Sequence, residues 1–202
     1  DTEFHKWDIQ KRPVLHPQGN CGGVETMHYR SYGESQEYMR LPEIFMPTEF
    51  LHGLYDGGHG AGLYDYWEMM RKHPRCIGGF LWVFADEGVK RVDEGGRIDN
   101  QGNYGADGIV GPHHEKEGSF FTIKEVWSPV QIMNAELYRD FDGNFEIENR
   151  YDFTNLKDVT FVWEQVSYPI IPANNAKTTT VKRGEIKGVD IEPHGAGVLK
   201  TG

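Results

Sequence analysis

The chain has 202 residues, of which 38% are hydrophobic, with 11 Phe, 5 Trp and 10 Tyr, so it can build a core and is not intrinsically disordered. At roughly 150 residues per domain this is one to two domains. Its 31 acidic against 21 basic residues give a net charge of −10, with no Lys or Arg cluster to neutralise phosphates, and no apolar run reaches the ~18 residues of a membrane-spanning helix, so neither nucleic acid nor a membrane is expected as a partner.

Taken in chain order, Arg12 to His16 reads as a short strand after a polar lead-in, and Val24 to Tyr29 as a second. Pro42 to Thr48 is a third apolar run that ends on Glu49. A glycine-rich stretch from Gly53 to Gly60 follows, which no regular element tolerates, so it is expected to be a loop. Leu63, Tyr66, Trp67 and Met70 then fall on one stripe of a helix that stops at Pro74. Cys76 to Ala85 is apolar on both faces and predicts a buried parallel strand, which completes a strand, loop, helix, strand unit.

The pattern changes near residue 126. Phe145, Ile147, Asn149, Tyr151 and Phe153 alternate with charged residues after an Asp142-Gly143 turn signal. Further strands are expected at Val159 to Val166, Thr178 to Arg183 and Val189 to Ile191, the pattern of an antiparallel sandwich. Glycine, at 25 residues, exceeds the usual ~7% and fits a chain rich in turns. The two cysteines, Cys21 and Cys76, match no zinc or thioredoxin spacing and leave the compartment open.

Glu49 is the most informative position, because a carboxylate at the end of an apolar strand and the start of a loop sits where barrel enzymes place catalytic groups. The motif T-E-F-L-H-G (Thr48 to Gly53), then Tyr66-Trp67, then P-R-C-I-G-G-F-L-W (Pro74 to Trp82), resembles glycoside hydrolase family 2 and, within it, the β-galactosidase branch. Lys124 to Val130 resembles that family's exit from its barrel, and Phe145 to Asn155 the first hairpin of the sandwich that follows.

The resemblance implies the C-terminal half of a (β/α)8 TIM barrel, strands five to eight, over residues 1–125, and an immunoglobulin-like antiparallel β-sandwich, incomplete, over 126–202. It makes Glu49 the nucleophile of a retaining exo-β-glycosidase, with His52 hydrogen-bonding sugar hydroxyls and Trp82 lining the sugar pocket. Tyr32 is the choice for the tyrosine beside the nucleophile, with Tyr29 as its rival. Val83 follows Trp82 where well-known members carry an acid, while Asp86 keeps the later acidic position; Asp56 and His59 in the long loop have no counterparts. The implied partner is a carbohydrate, a terminal β-galactoside. The same family admits β-glucuronides or β-mannosides, and a non-catalytic sugar-binding module displaying Trp82, Trp127 and Trp163 is the alternative from another class.

Retaining hydrolysis needs a second carboxylate as acid/base, roughly 5 Å from the first. The family draws it from an Asn-Glu pair, and none precedes Glu49; Glu25, Asp86 and Glu87 lack its context. The chain is therefore expected to be a fragment whose acid/base lies upstream, poorly stable and inactive by itself. No cofactor or metal set is visible; the resemblance allows Mg or Na, and a homo-oligomer, in the complete enzyme. His113-His114-Glu115 reads as a solvated loop rather than a metal site.

Overall fold

The computed structural model describes residues 1–17, 19–53, 61–99, 104–134, 136–169 and 177–202. The chain divides into two units, Asp1–Trp127 and Ser128–Gly202. The architecture is mixed α/β with mainly antiparallel pairing, and among the described residues no closed barrel forms.

In the first unit a solvated helix, α1 (Thr2–Trp7), precedes an irregular segment. The strand expected at Arg12 to His16 is absent, and Pro13, which has no N–H to donate, explains why pairing does not start there. β1 (Asn20–Cys21) turns into β2 (Val24–Glu25) through Gly22 (φ 61°) and Gly23 (φ 83°), two consecutive left-handed positions that suit a tight hairpin. After the short helix α2 (Tyr32–Tyr38), β3 (Ile44–Phe45) pairs parallel with β2.

Beyond β3 the chain bends at Thr48 and Glu49 and is hydrogen-bonded on both sides. Met46 and Thr48 N–H donate to the Glu25 and Thr26 carbonyls at 3.0 and 3.2 Å. On the other side Phe50 donates to Phe80, Phe80 to Pro47 and Trp82 to Leu51, at 3.0, 3.2 and 3.2 Å. The segment carrying Glu49 is thus the middle of three neighbouring runs, 23–26, 44–51 and 75–82.

The predicted stripe is present on α3 (Ala61–Arg71), where Leu63 and Met70 are fully buried. They pack with Met39, Phe45, Phe50 and Leu51 in the core of this unit, each large side chain contributing about 1.5–3 kcal/mol of burial. A ribbon of β4 (Val89–Arg91) and β5 (Arg97–Asp99) follows, and then α4 (Gly118–Val126), whose Ile123 joins the same core. Of the loop expected at Gly53 to Gly60, residues 54–60, with Asp56 and His59, lie outside the described residues.

Cys76 to Ala85 corrects the sequence expectation. It forms no continuous strand but isolated parallel bridges, Phe45 with Cys76 and His52 with Trp82. Gly78 takes φ 104°, and a Cβ on Gly79 would sit 3.0 Å from Pro47 and the Phe50 ring, so the backbone kinks and closes in where a regular ladder would run. Ile77 and Phe80 are 63% and 60% exposed rather than buried on both faces.

In the second unit β6 (Val130–Ile132), β7 (Asn144–Asn149) and a last strand at residues 196–200 form one antiparallel sheet with β7 in the middle. β8 (Phe161–Ser167) and β9 (Thr179–Ile186) pair as a long antiparallel ribbon, and the last strand is β10 (Ala196–Lys200). Alternation along β7 is as predicted, with Ile147 and Asn149 inward and Glu146 outward, but the strand stops before Phe153, which is solvated. Val189 to Ile191 is not a strand, although Ile191 still enters the core with Ile147, Leu156 and Leu199.

Candidate functional site

Glu49 lies at a bend four residues after β3, with its side chain 22% exposed. Its carboxylate is engaged at both oxygens: the Tyr29 hydroxyl donates to Oε2 at 2.7 Å, and His28 Nδ1 lies 3.4 Å from Oε1. The Tyr29 backbone N–H also donates to the Glu49 carbonyl at 2.9 Å. The tyrosine that reaches Glu49 is therefore Tyr29, the rival, and not Tyr32. Tyr32 opens α2 and sets its ring edge-on to Tyr66, 5.5 Å between centroids.

The reason lies in the backbone. Tyr29 has φ 50°, in the left-handed region that costs a non-glycine residue about 1–2 kcal/mol. That turn lets consecutive side chains converge, where a strand would send them to opposite faces. A dense set of bonds holds it. Glu25, almost fully buried, takes the Arg30 guanidinium at 2.8 and 3.1 Å and the Met27 N–H at 3.2 Å, and the Arg30 carbonyl accepts the Tyr66 hydroxyl at 2.8 Å. The Arg30 guanidinium also stacks on Tyr38, 3.4 Å from the ring centre.

Leu51 is a second left-handed residue, φ 109°, and it re-aims the chain between Glu49 and His52. His52 lies beside Tyr29, with ring centroids 6.1 Å apart, and its Nε2 is 3.0 Å from Asp107 Oδ2. Asp107 is only 3% exposed, and its Oδ1 has no hydrogen-bond partner among the described residues. The Asp107–Gly108 turn docks on Ala85 and Asp86 by close backbone approach: a Cβ on Gly108 would meet Asp86 N at 2.3 Å, and the Gly108 N–H donates to Asp86 Oδ1 at 2.7 Å. Trp82 pairs in parallel with His52, and the Trp82–Val83 peptide bond is cis.

Glu49, Tyr29, His28, His52, Asp107 and Trp82 thus gather at one end of the three runs. Sequence reading missed His28 and Asp107. The pairing of His28 with Tyr29 at a strand end and the glycines flanking Asp107 were the available signals. A cavity of about 350 Å³ beside Asp107 is lined by Gly53, Glu117, Ser119 and Thr122. Desolvation, then the charges of Asp86 and Glu115, pushes the Glu117 carboxyl above its ordinary value.

Other carboxylates have other work. Glu25 is tied to Arg30, and Asp86 to Gly108. His113 and His114 are exposed, the latter against Phe84 at 5.7 Å. Among the described residues no three His, Cys, Asp or Glu side chains gather to hold a metal ion. Trp127 packs on Trp67 at 5.2 Å, and Trp163 in the second unit lies over Gly184.

No family model matches the chain. It is 38% identical over 145 residues to the beta-galactosidase of Psychromonas ingrahamii, an alignment covering 63% of this chain. It is 24% identical over 161 residues to that of Priestia megaterium, and 27% identical over 162 to that of Actinobacillus pleuropneumoniae, covering 73% and 77% of this chain. It spans 13–15% of the length of these three relatives.

Proposed function

We propose that this β-galactosidase-like chain carries the nucleophile half of the active site of a retaining exo-β-glycosidase that cleaves terminal β-D-galactosyl residues. The observation that carries the reading is the Glu49 carboxylate, held by Tyr29 and His28 at the end of a hydrogen-bonded run. A displacement at an anomeric carbon needs such a carboxylate, ionised and fixed in direction. The Glu49 oxygen forms an ester bond to that carbon as its bond to the leaving oxygen breaks, and the leaving oxygen takes its proton from an acid supplied elsewhere in the polypeptide. Water, deprotonated by the same group, then cleaves the ester.

His52 and Asp107 act on the sugar side. The imidazole, oriented by a buried carboxylate, offers a directed polar contact to sugar hydroxyls, and Trp82 offers an apolar face. The parallel runs 23–26, 44–51 and 75–82, with α2 and α3 between them, support residues 1–125 as the C-terminal part of a (β/α)8 barrel. Two antiparallel arrays around one core support residues 126–202 as part of an immunoglobulin-like sandwich.

The test uses the complete polypeptide that carries this chain. A 2-fluoro-β-galactoside should label Glu49, and Glu49→Gln should lower turnover by several orders of magnitude with the fold retained, on the order of the loss expected for removing a nucleophile. More than about a tenth of the activity left in that variant would sink the nucleophile assignment. Tight sugar binding without labelling would favour a non-catalytic module.

A further inference from the structure

We propose that His28 is a positioning residue for Glu49, acting through Nδ1 as a donor to Oε1 that, with the Tyr29 hydroxyl at Oε2, sets the direction of its carboxylate. The proposal rests on the reading of Glu49 as nucleophile and adds a residue and an atom to it. Tyr29 alone leaves the carboxylate free to swing about its bond to Oε2; a second donor at Oε1 removes that freedom. His28 Nδ1 is 3.4 Å from Oε1, long for a hydrogen bond, and catalytic pairs of this kind tighten when substrate is loaded. To donate there, the ring must carry its proton on Nδ1.

The surroundings favour this role over plain packing. His28 is 17% exposed at its side chain, lies outside both buried apolar clusters, and stands edge-on to Tyr29 at 5.9 Å. The left-handed turn at Tyr29 is what brings Nδ1 and the phenol hydroxyl to the two oxygens of one carboxylate. Backbone strain of this kind is kept where the surrounding structure holds it, and here Arg30, Glu25 and Tyr66 hold it. A histidine present only to touch the sugar would not need this registration with Tyr29.

The test separates atom from bulk. Asparagine places its amide nitrogen where histidine has Nδ1, and glutamine places it one bond further out, near Nε2. In the complete polypeptide, His28→Ala and His28→Gln should lower kcat by about tenfold to a hundredfold with KM within about twofold, while His28→Asn should recover to within about threefold of the parent. In a double-mutant cycle with Tyr29→Phe the two losses should fail to add, because both act on one carboxylate.

Wild-type kcat in His28→Ala would overturn the proposal, as would a raised KM at unchanged kcat, which marks a sugar ligand. Equal activity in the Asn and Gln variants would overturn the assignment to Nδ1. If His28→Ala does not fold by circular dichroism, the Asn and Gln pair carries the test. Full activity in Glu49→Gln would instead remove the nucleophile reading beneath it, so the two failures are distinguishable.

Discussion

Tyr29 and Leu51, both non-glycine residues with positive φ, stand on either side of Glu49: one brings its donors in, the other turns the chain toward His52. Strain at two such positions costs of order 1–3 kcal/mol each and is expected where a site needs geometry that regular structure does not offer. Tyr29→Phe keeps the ring and removes the hydroxyl at Oε2, so turnover of the complete polypeptide should fall about tenfold or more, with stability moving by no more than about 1 kcal/mol. Tyr32→Phe should leave turnover within about twofold, because that ring meets Tyr66. Steady-state kinetics beside urea unfolding of both variants checks the pair, and the reverse ranking would restore Tyr32. Glu49 was legible as a strand-end carboxylate in a motif. Which tyrosine faces it was not, because a left-handed φ at a non-glycine residue leaves no mark in the local pattern of polar and apolar residues.

At the scale of elements, α2 begins directly after the His28–Arg30 turn and is anchored by a capping box. Ser31 Oγ accepts the Glu34 N–H at 3.3 Å, and the Glu34 carboxylate accepts the Ser31 N–H at 2.9 Å. Hydrogen bonds from Ser31, side chain first and then backbone, hold the Glu34 carboxyl below its ordinary value of 4.5. A folded-state value below the unfolded one means the contribution is present above pH 4.5 and is lost as pH falls through the lowered folded value. Glu34→Gln should therefore lower stability at pH 7 and flatten its decline as pH falls below 4.5. Ser31→Ala should cost about 1 kcal/mol at pH 7, read from chemical denaturation. The stripe on α3 and the alternation on β7 were legible because each reports a single repeating backbone geometry. Cys76 to Ala85 was misread: its composition is that of a buried strand, while Gly78 and Gly79 bend it and leave Ile77 and Phe80 exposed.

At the scale of the whole molecule, each unit is closed by its own core, and in the second a polar residue does part of that closing. Asn149 is fully buried on β7; its Nδ2 donates toward the Thr154, Ile191 and Glu192 carbonyls at 2.9, 3.0 and 3.1 Å, and its Oδ1 accepts the Tyr151 N–H at 3.0 Å. It ties the central strand to the segment that delivers Ile191 in place of the expected last strand. Asn149→Ala strands those groups and should destabilise the chain by about 1–3 kcal/mol or more in urea unfolding, and Asn149→Asp, which has no N–H to give, should cost at least as much. An unchanged midpoint for both would show that water or neighbouring groups replace the side chain.

From the sequence alone came the change of pattern near residue 126, the α3 stripe, the β7 alternation and Glu49 within T-E-F-L-H-G, all features written in short stretches whose periodicity follows from local dihedral angles. Tertiary structure alone decided that Tyr29 and His28 share one carboxylate, that Asp107 arrives beside His52 from the far side of the unit's sequence, and that Cys76 to Ala85 is only partly covered. Those outcomes depend on isolated positive φ values and on the summed path of the chain between distant residues, and no local period encodes either.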